Sequence, residues 1–378
     1  EKMIQLFVDG LAVEVPFKYQ AKINQCWSQF QDKYPFLYQN ILNDTLVDAF
    51  KTSPIQLTEF EDLRQTELQT TNYFACQHYA NENTERKTSL LYFSQLNGKL
   101  QLVLALNHAI SDLVCHINLV NQFVQLLQNI ETPTMAFHQI TDFPFNLSNL
   151  LPSKTFDDFG KFQFNSKNAQ LKAYRTKTFL ISQTQFAKLI CNLRKQRISL
   201  QAFLEVADAK SKLKHAHLDK DSVLFQTAVD RRAKFAFQDS VGLLVEPFLH
   251  KADLRQFEDE VLLMQQMSTK LKNLTDADFE HFRQQTFVEK TNKMMPMTIL
   301  VSSCGKATAM TNDEIGEAAF TCGICVPGFA LKDQIMVMHG FELNGGYLIN
   351  WSYTDSIETE QAEAVIMEFK NYVNKYSQ

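Results

Sequence analysis

The chain has 378 residues, 45% hydrophobic and 21% charged, with a formal net charge of −5. That balance is too apolar for a disordered chain and lacks the positive excess of a broad nucleic-acid-binding surface. Gly (11) and Pro (9) are scarce, which excludes collagen-like and low-complexity architectures, and the length suggests two or three domains. Seven cysteines, an odd number in a long chain, point to a reducing compartment and a cytoplasmic protein. There is no run of 18 or more apolar residues and no signal-peptide pattern, so no membrane span is predicted. The 31 Phe exceed what a core of this size needs, and some are candidates to line an apolar tunnel.

In chain order, Ile23, Trp27 and Phe30 recur at helical spacing within 18–34, and Pro35 ends that helix. Phe36, Leu37 and Tyr38 then read as extended. Residues 89–96 and 99–106 read as a hairpin around Asn97-Gly98. The run 102–106 is apolar throughout, as in a strand buried on both faces. Leu113, Ile117, Val120, Val124 and Leu127 lie on one helical face, with Ser111 or Asp112 as N-cap. Irregular residues 131–170 suggest an inter-domain connection. Beyond it, strands are predicted at 174–181, 223–229, 298–301, 335–343 and 347–353, and helices at 183–193, 200–213, 252–274 and 359–376. Each half mixes strands and helices, so the class is α/β or α+β with two lobes, 1–165 and 166–378.

His108 stands where the buried strand ends and the helix has not begun. Asp112, four residues on, can orient the imidazole, cap the helix, or pair with an Arg from elsewhere. A metal-binding reading of His108, Asp112, Cys115 and His116 is disfavoured, because a helix starting near 111 leaves His108 outside it. Cys322-Gly323-Ile324-Cys325 lacks the second pair that zinc needs and the context of a redox motif. Two basic clusters, Lys188 with Arg194, Lys195 and Arg197, and Lys210 with Lys212 and Lys214, read as solvated helix faces. A sharper reading makes them contacts for phosphates or an acidic partner.

The text around His108, Leu106-Asn107-His108-Ala109-Ile110-Ser111-Asp112-Leu113, resembles the His-x-x-x-Asp motif of thioester-dependent acyltransferases. That superfamily includes chloramphenicol acetyltransferase, plant BAHD enzymes, nonribosomal-peptide condensation domains and mycobacterial polyketide-associated acyltransferases. Further similar stretches follow in the expected order. They are Asp32-Lys33-Tyr34-Pro35-Phe36-Leu37, the helix opening at Ile198-Ser199-Leu200, and Ala228-Val229-Asp230-Arg231-Arg232. Beyond these come Ser240-Val241-Gly242-Leu243-Leu244-Val245, Val301-Ser302-Ser303-Cys304-Gly305 and the strand from Gly345 to Tyr353.

The resemblance implies two sandwich lobes of the chloramphenicol acetyltransferase type, meeting at a cleft, with His108 in a channel. It implies His108 as general base. Asp112 becomes a structural partner of Arg232, with Arg231 in reserve. Ser302, Ser303, Asn107 and Glu246 become candidate oxyanion or substrate contacts. It implies no bound cofactor and no metal. Acyl-CoA or a phosphopantetheine thioester on an acyl carrier protein is the co-substrate, and a small-molecule hydroxyl or amine is the acceptor. A free-standing amide-forming condensation enzyme of secondary metabolism, a hydrolase, and a catalytically silent binding relative are the alternatives. The chain departs from the pattern at Asn107 (the first His of condensation domains), Leu113 (a Gly) and Glu246 (an Asn). It lacks the BAHD Asp-Phe-Gly-Trp-Gly loop.

Overall fold

The computed structural model describes residues 7–42, 45–57, 86–139, 142, 159–165, 174–283, 299–304, 310, 312–325 and 336–378. The strands that build the two main sheets and one small ladder are, in chain order, β1 (Phe7–Pro16), β2 (Ile55–Gln56), β3 (Ser89–Leu96), β4 (Lys99–Asn107), β5 (Ala136–Phe137), β6 (Tyr174–Ile181) and β7 (Ser222–Asp230). They continue with β8 (Ser240–Val241), β9 (Val245–Asp253), β10 (Ile299–Ser303), β11 (Ala318–Cys325), β12 (Met336–Leu343) and β13 (Gly346–Thr354). The longer helices are α1 (Ile23–Lys33), α2 (Leu113–Leu127), α3 (Gln183–Lys195), α4 (Leu200–His215), α5 (Glu260–Lys272) and α6 (Thr359–Tyr376).

The first sheet has five strands in the order β11-β1-β4-β3-β2, and the second has six in the order β6-β13-β12-β10-β7-β9. Asn97 and Gly98 take φ of 50° and 73°, the pair of left-handed residues that a two-residue hairpin turn between β3 and β4 requires. Asn344 and Gly345 repeat the device between β12 and β13. From Leu100 to Asn107, β4 is buried on both faces, as its unbroken apolar run demands. β1 pairs with it along its whole length, from Val8 opposite Asn107 to Pro16 opposite Lys99.

Each main sheet carries its own core. Trp27 and Phe30 of α1 pack on Phe123 of α2 with ring centroids 5.8 and 5.4 Å apart, over Leu11, Val13, Leu102 and Leu104 of the first sheet. The gap left among these side chains is about 10 Å³, too small for an acyl chain, so these aromatic residues fill a core. In the second core Phe369 of α6 packs against both Phe203 of α4 and Trp351 of β13. The halves are also laced together. β11, from late in the chain, forms an edge of the first sheet beside β1, and β5 pairs in parallel with β8.

Three readings of the sequence are corrected. Residues 35–37 form a 3₁₀ turn rather than an extended segment, because Pro35 supplies the fixed φ of a first helical position. The long helix over 252–274 begins only at Glu260. β9 runs to Asp253, and a 3₁₀ turn, Leu254–Glu258, places Leu254 and Phe257 at helical spacing outside the helix. The strand β1 and the edge strands β9 and β11 carry no strand prediction, yet all three form. Much of 131–170, including Pro144 and Pro152, lies outside the described residues, as does Cys76. Among the described residues no helix is long and apolar enough to cross a membrane.

Candidate active site

The site is built where β4 runs out. Asn107 N–H donates to Thr88 O at 2.9 Å, and Asn107 Oδ1 accepts from Ala109 N–H at 2.8 Å. Asn107 O accepts from Ser111 Oγ at 3.0 Å and from Ile110 N–H at 3.1 Å. These bonds close 107–111 into a tight turn and spend the Asn107 side-chain oxygen on backbone. They also throw the His108 ring off the strand end, where its side chain is 26% exposed.

The carboxylate that meets this ring is Asp9 on β1, one residue beyond the Val8–Asn107 pair. His108 Nδ1 lies 2.5 Å from Asp9 Oδ2, and Asp9 is fully buried. Burial opposes the imidazolium, but the charge of Asp9 and its hydrogen bond, with Asp112 behind them, hold the His108 pKa above the ordinary 6.5. Two further imidazoles lie within electrostatic reach of Asp9, His116 on α2 and His339 on β12. Burial lowers each to about 4, so both stay neutral. Phe320 of β11 packs edge-on against both rings, at 5.7 and 5.4 Å. His116 is therefore a core histidine of the seam between the lobes.

Asp112 works elsewhere. As N-cap of α2 its Oδ1 accepts from Cys115 N–H at 2.8 Å. Arg232 Nη2 donates to both of its oxygens at 3.0 and 3.1 Å, and Leu244 N–H donates to Oδ2 at 2.8 Å. Arg232 also donates to Asp230 Oδ1 (3.0 Å), Ser240 O (3.1 Å) and Gly242 O (2.9 Å). Pairing with Asp112 and Asp230 outweighs burial and raises its pKa further. The loop holding His108 is thus tied to the 230–244 turn by a buried ion pair. Gly242 completes the junction at φ +128°, where a Cβ would lie 1.8 Å from His138 O.

The remaining predicted positions separate. Glu246 is fully buried and held by Arg283 at 2.8 and 2.9 Å and by Arg231 at 3.2 Å, with Arg231 stacked over Phe279 at 4.1 Å. A carboxylate so engaged accepts bonds and offers none, which corrects its place among oxyanion contacts; Arg231 serves Glu246 and Asp276, not Asp112. Ser303 Oγ donates to Gln201 Oε1, and Gln201 Nε2 donates on to Glu205 Oε1 at 2.7 Å. Ser302 is half-buried on β10, in register with His339. Leu113 is the buried first residue of α2. The second basic cluster is neutralised internally, by Lys210–Glu260 at 2.7 Å, Lys212–Asp208 at 2.6 Å and Lys214–Glu368 at 2.7 Å. The side chains of Cys322 and Cys325, on β11, lie outside the described residues. Among the described residues no group of three or more His, Cys, Asp and Glu is arranged to hold a metal ion. A groove of about 430 Å³ lined by Gln265, Thr269, Lys270 and Asp278 opens on α5, and none of its lining comes from the surroundings of His108.

Asp9 is the residue that sequence reasoning missed. Its one signal is an acidic residue inside the apolar stretch Phe7-Val8-Asp9-Gly10-Leu11.

This architecture is the two-lobed chloramphenicol acetyltransferase-like fold of condensation and acyltransferase proteins. The trichothecene 15-O-acetyltransferase TRI3 from Fusarium sporotrichioides matches with a TM-score of 0.71 at 9% identity, over 99% of this chain and 92% of that one. TRI101 from F. graminearum, complexed with coenzyme A and T-2 mycotoxin, matches at 0.66 and 14% identity, over 98% and 97%. The cyclization-docking bidomain of the nonribosomal peptide synthetase EpoB from Sorangium cellulosum matches at 0.69 and 9% identity, over 98% and 79%. At such identities the likeness is one of fold. No family model matches the chain, and no curated protein sequence matches it.

Proposed function

We propose that this protein is an acyltransferase that moves an acyl group from a thioester, acyl-CoA or acyl carrier protein, to a hydroxyl or amine, with His108 as general base. The observation that carries the reading is the His108 ring itself. It projects from a locked turn, is partly open to solvent, and has Nδ1 engaged by a carboxylate, which makes Nε2 the basic nitrogen. Nε2 takes the proton of the acceptor as its oxygen or nitrogen attacks the thioester carbonyl. The tetrahedral intermediate collapses, the C–S bond breaks, and the thiolate recovers the proton from the imidazolium. A thiol leaves readily, so no acyl-enzyme is needed. General-base assistance of this kind is worth about 10²–10⁴-fold. Asp112 and Arg232 hold the turn. Ser302 and the Asn107 side-chain amide are the candidate donors to the oxyanion.

The fold shared with a coenzyme A-bound acetyltransferase supports the CoA version. The fold shared with a peptide-synthetase bidomain supports a second reading, amide formation from a carrier-bound thioester. The test is to offer acetyl-CoA and an acetylated carrier protein separately, each with a panel of alcohols and amines, and to identify products by mass spectrometry. An ester or amide formed from acetyl-CoA supports the first reading. Turnover of the carrier thioester alone selects the second, free acid alone makes water the acceptor, and no product from either donor refutes both.

A further inference from the structure

We propose that Asp9 is the positioning residue of this site: its buried carboxylate holds the Nδ1–H of His108 and so fixes the tautomer in which Nε2 is the base. This rests on the reading of His108 as the base and assigns its partner to β1, not to the neighbouring Asp112.

Three observations converge. First, Asp9 is fully buried in the stretch Phe7–Val13, whose other residues are apolar or small. A carboxylate there is strongly unfavourable unless it is paired, and a partner stands 2.5 Å away at His108 Nδ1. Second, the backbone aims it. β1 keeps unbroken register with β4, with Asp9 opposite Leu106, so the strand's regular alternation puts Asp9 on the same face as the core residues Leu11 and Val13, at the end of the sheet where His108 follows Asn107. Third, among the described residues the neighbouring titratable groups have other roles. His116 from α2 and His339 from β12 are kept neutral by burial. The Cys115 thiol from α2 is pushed up to about 12 by burial and stays protonated. Asp112 is occupied by Arg232, Leu244 N–H and Cys115 N–H. The two carboxylates therefore divide the work: Asp112 holds the loop, and Asp9 holds the ring.

The chemical consequence follows from the proton's path. With Nδ1–H donated to Asp9, the lone pair on Nε2 faces the acceptor. When Nε2 is protonated, the imidazolium forms against a fixed negative charge in a site of low polarity, where that charge counts most. The sign for pH is fixed as well. The base works when neutral, so the acid limb of kcat/KM lies above pH 6.5 in the native protein. Removing the Asp9 charge leaves burial in control and moves that limb to lower pH, while the plateau falls because the ring is less well held.

The experiment reads His108 without any substrate. The full chain is labelled with ¹⁵N-histidine, and long-range ¹H–¹⁵N spectra are followed across pH for the native protein, Asp9→Asn, Asp9→Ala and Asp112→Asn. His108→Gln assigns the signal. The expected result is a native His108 protonated at Nδ1, with a midpoint above 6.5. In Asp9→Asn the midpoint falls by at least about one pH unit, a tenfold loss of proton affinity. Asp112→Asn moves it less. A native ring protonated at Nε2, or an unchanged midpoint in Asp9→Asn, overturns the proposal. If the Asp9 variants do not fold, the native tautomer alone decides. An Asp9-dependent shift without acyl transfer from any donor would keep this dyad and reject the acyltransferase reading; transfer without the shift would do the reverse.

Discussion

Replacing Arg232 with Met removes the guanidinium from a site that is 3% exposed while leaving the buried Asp112 carboxyl group without it. Asp112 would retain the backbone donors Cys115 N–H and Leu244 N–H but lose both bonds from Nη2. Ser240 O, Gly242 O and Asp230 would lose donors at the same time. Breaking one side of a buried pair costs about 3–5 kcal/mol. Against a total stability of about 5–15 kcal/mol, that is a large fraction. Asp112→Ala strips the helix cap as well, worth about 1 kcal/mol, but leaves Arg232 paired with Asp230. The double variant therefore loses less than the sum, with a coupling of roughly 1–3 kcal/mol. Urea unfolding followed by tryptophan fluorescence measures this, because the chain's two Trp, Trp27 and Trp351, are buried one in each core. The ion pair joins α2 to the 230–244 turn, so both signals shift together. A loss below about 1 kcal/mol for Arg232→Met, or additive single variants, would refute the reasoning.

Two further perturbations test other parts of the structure. Glu205 is buried with its pKa raised to about 7, chiefly by loss of solvation. Its folded value exceeds its unfolded one of 4.5, so it is harmless at acid pH, and its cost builds as pH rises from 4.5 to about 7 and is complete above that. Glu205→Gln accordingly gains on the order of 1–3 kcal/mol at pH 8 and little at pH 4, in paired urea titrations; equal effects at both pH values would contradict the assignment. Gly242→Ala must either move His138 O or abandon φ +128°, and the expected loss is about 3 kcal/mol or more in the same assay.

What could be read from the sequence was local or carried by a motif. The hairpin at Asn97-Gly98 and the helix Leu113–Leu127 are written in consecutive residues, and the structure has both. The pairing of Asp112 with Arg232 spans 120 residues and had no local signal. It was expected only through the resemblance around His108. β1 and β11 stayed hidden because their partners are remote in the chain and because Asp9-Gly10 interrupts an apolar run. Asp9 was invisible for the same reason. A single carboxylate in a strand has no spacing to betray it, and its partner lies 99 residues away. Glu246 shows the opposite error, a polar residue placed near the site by resemblance and consumed by Arg283 and Arg231 in the fold.

The most direct measurement is single-turnover acyl transfer from a thioester donor that the native protein accepts, compared between the native protein and His108→Ala. Circular dichroism and urea unfolding confirm that the variant is folded. The account predicts that the chemical step slows by at least about a hundredfold while donor binding and stability hold. A folded His108→Ala that transfers the acyl group at the native rate would contradict it.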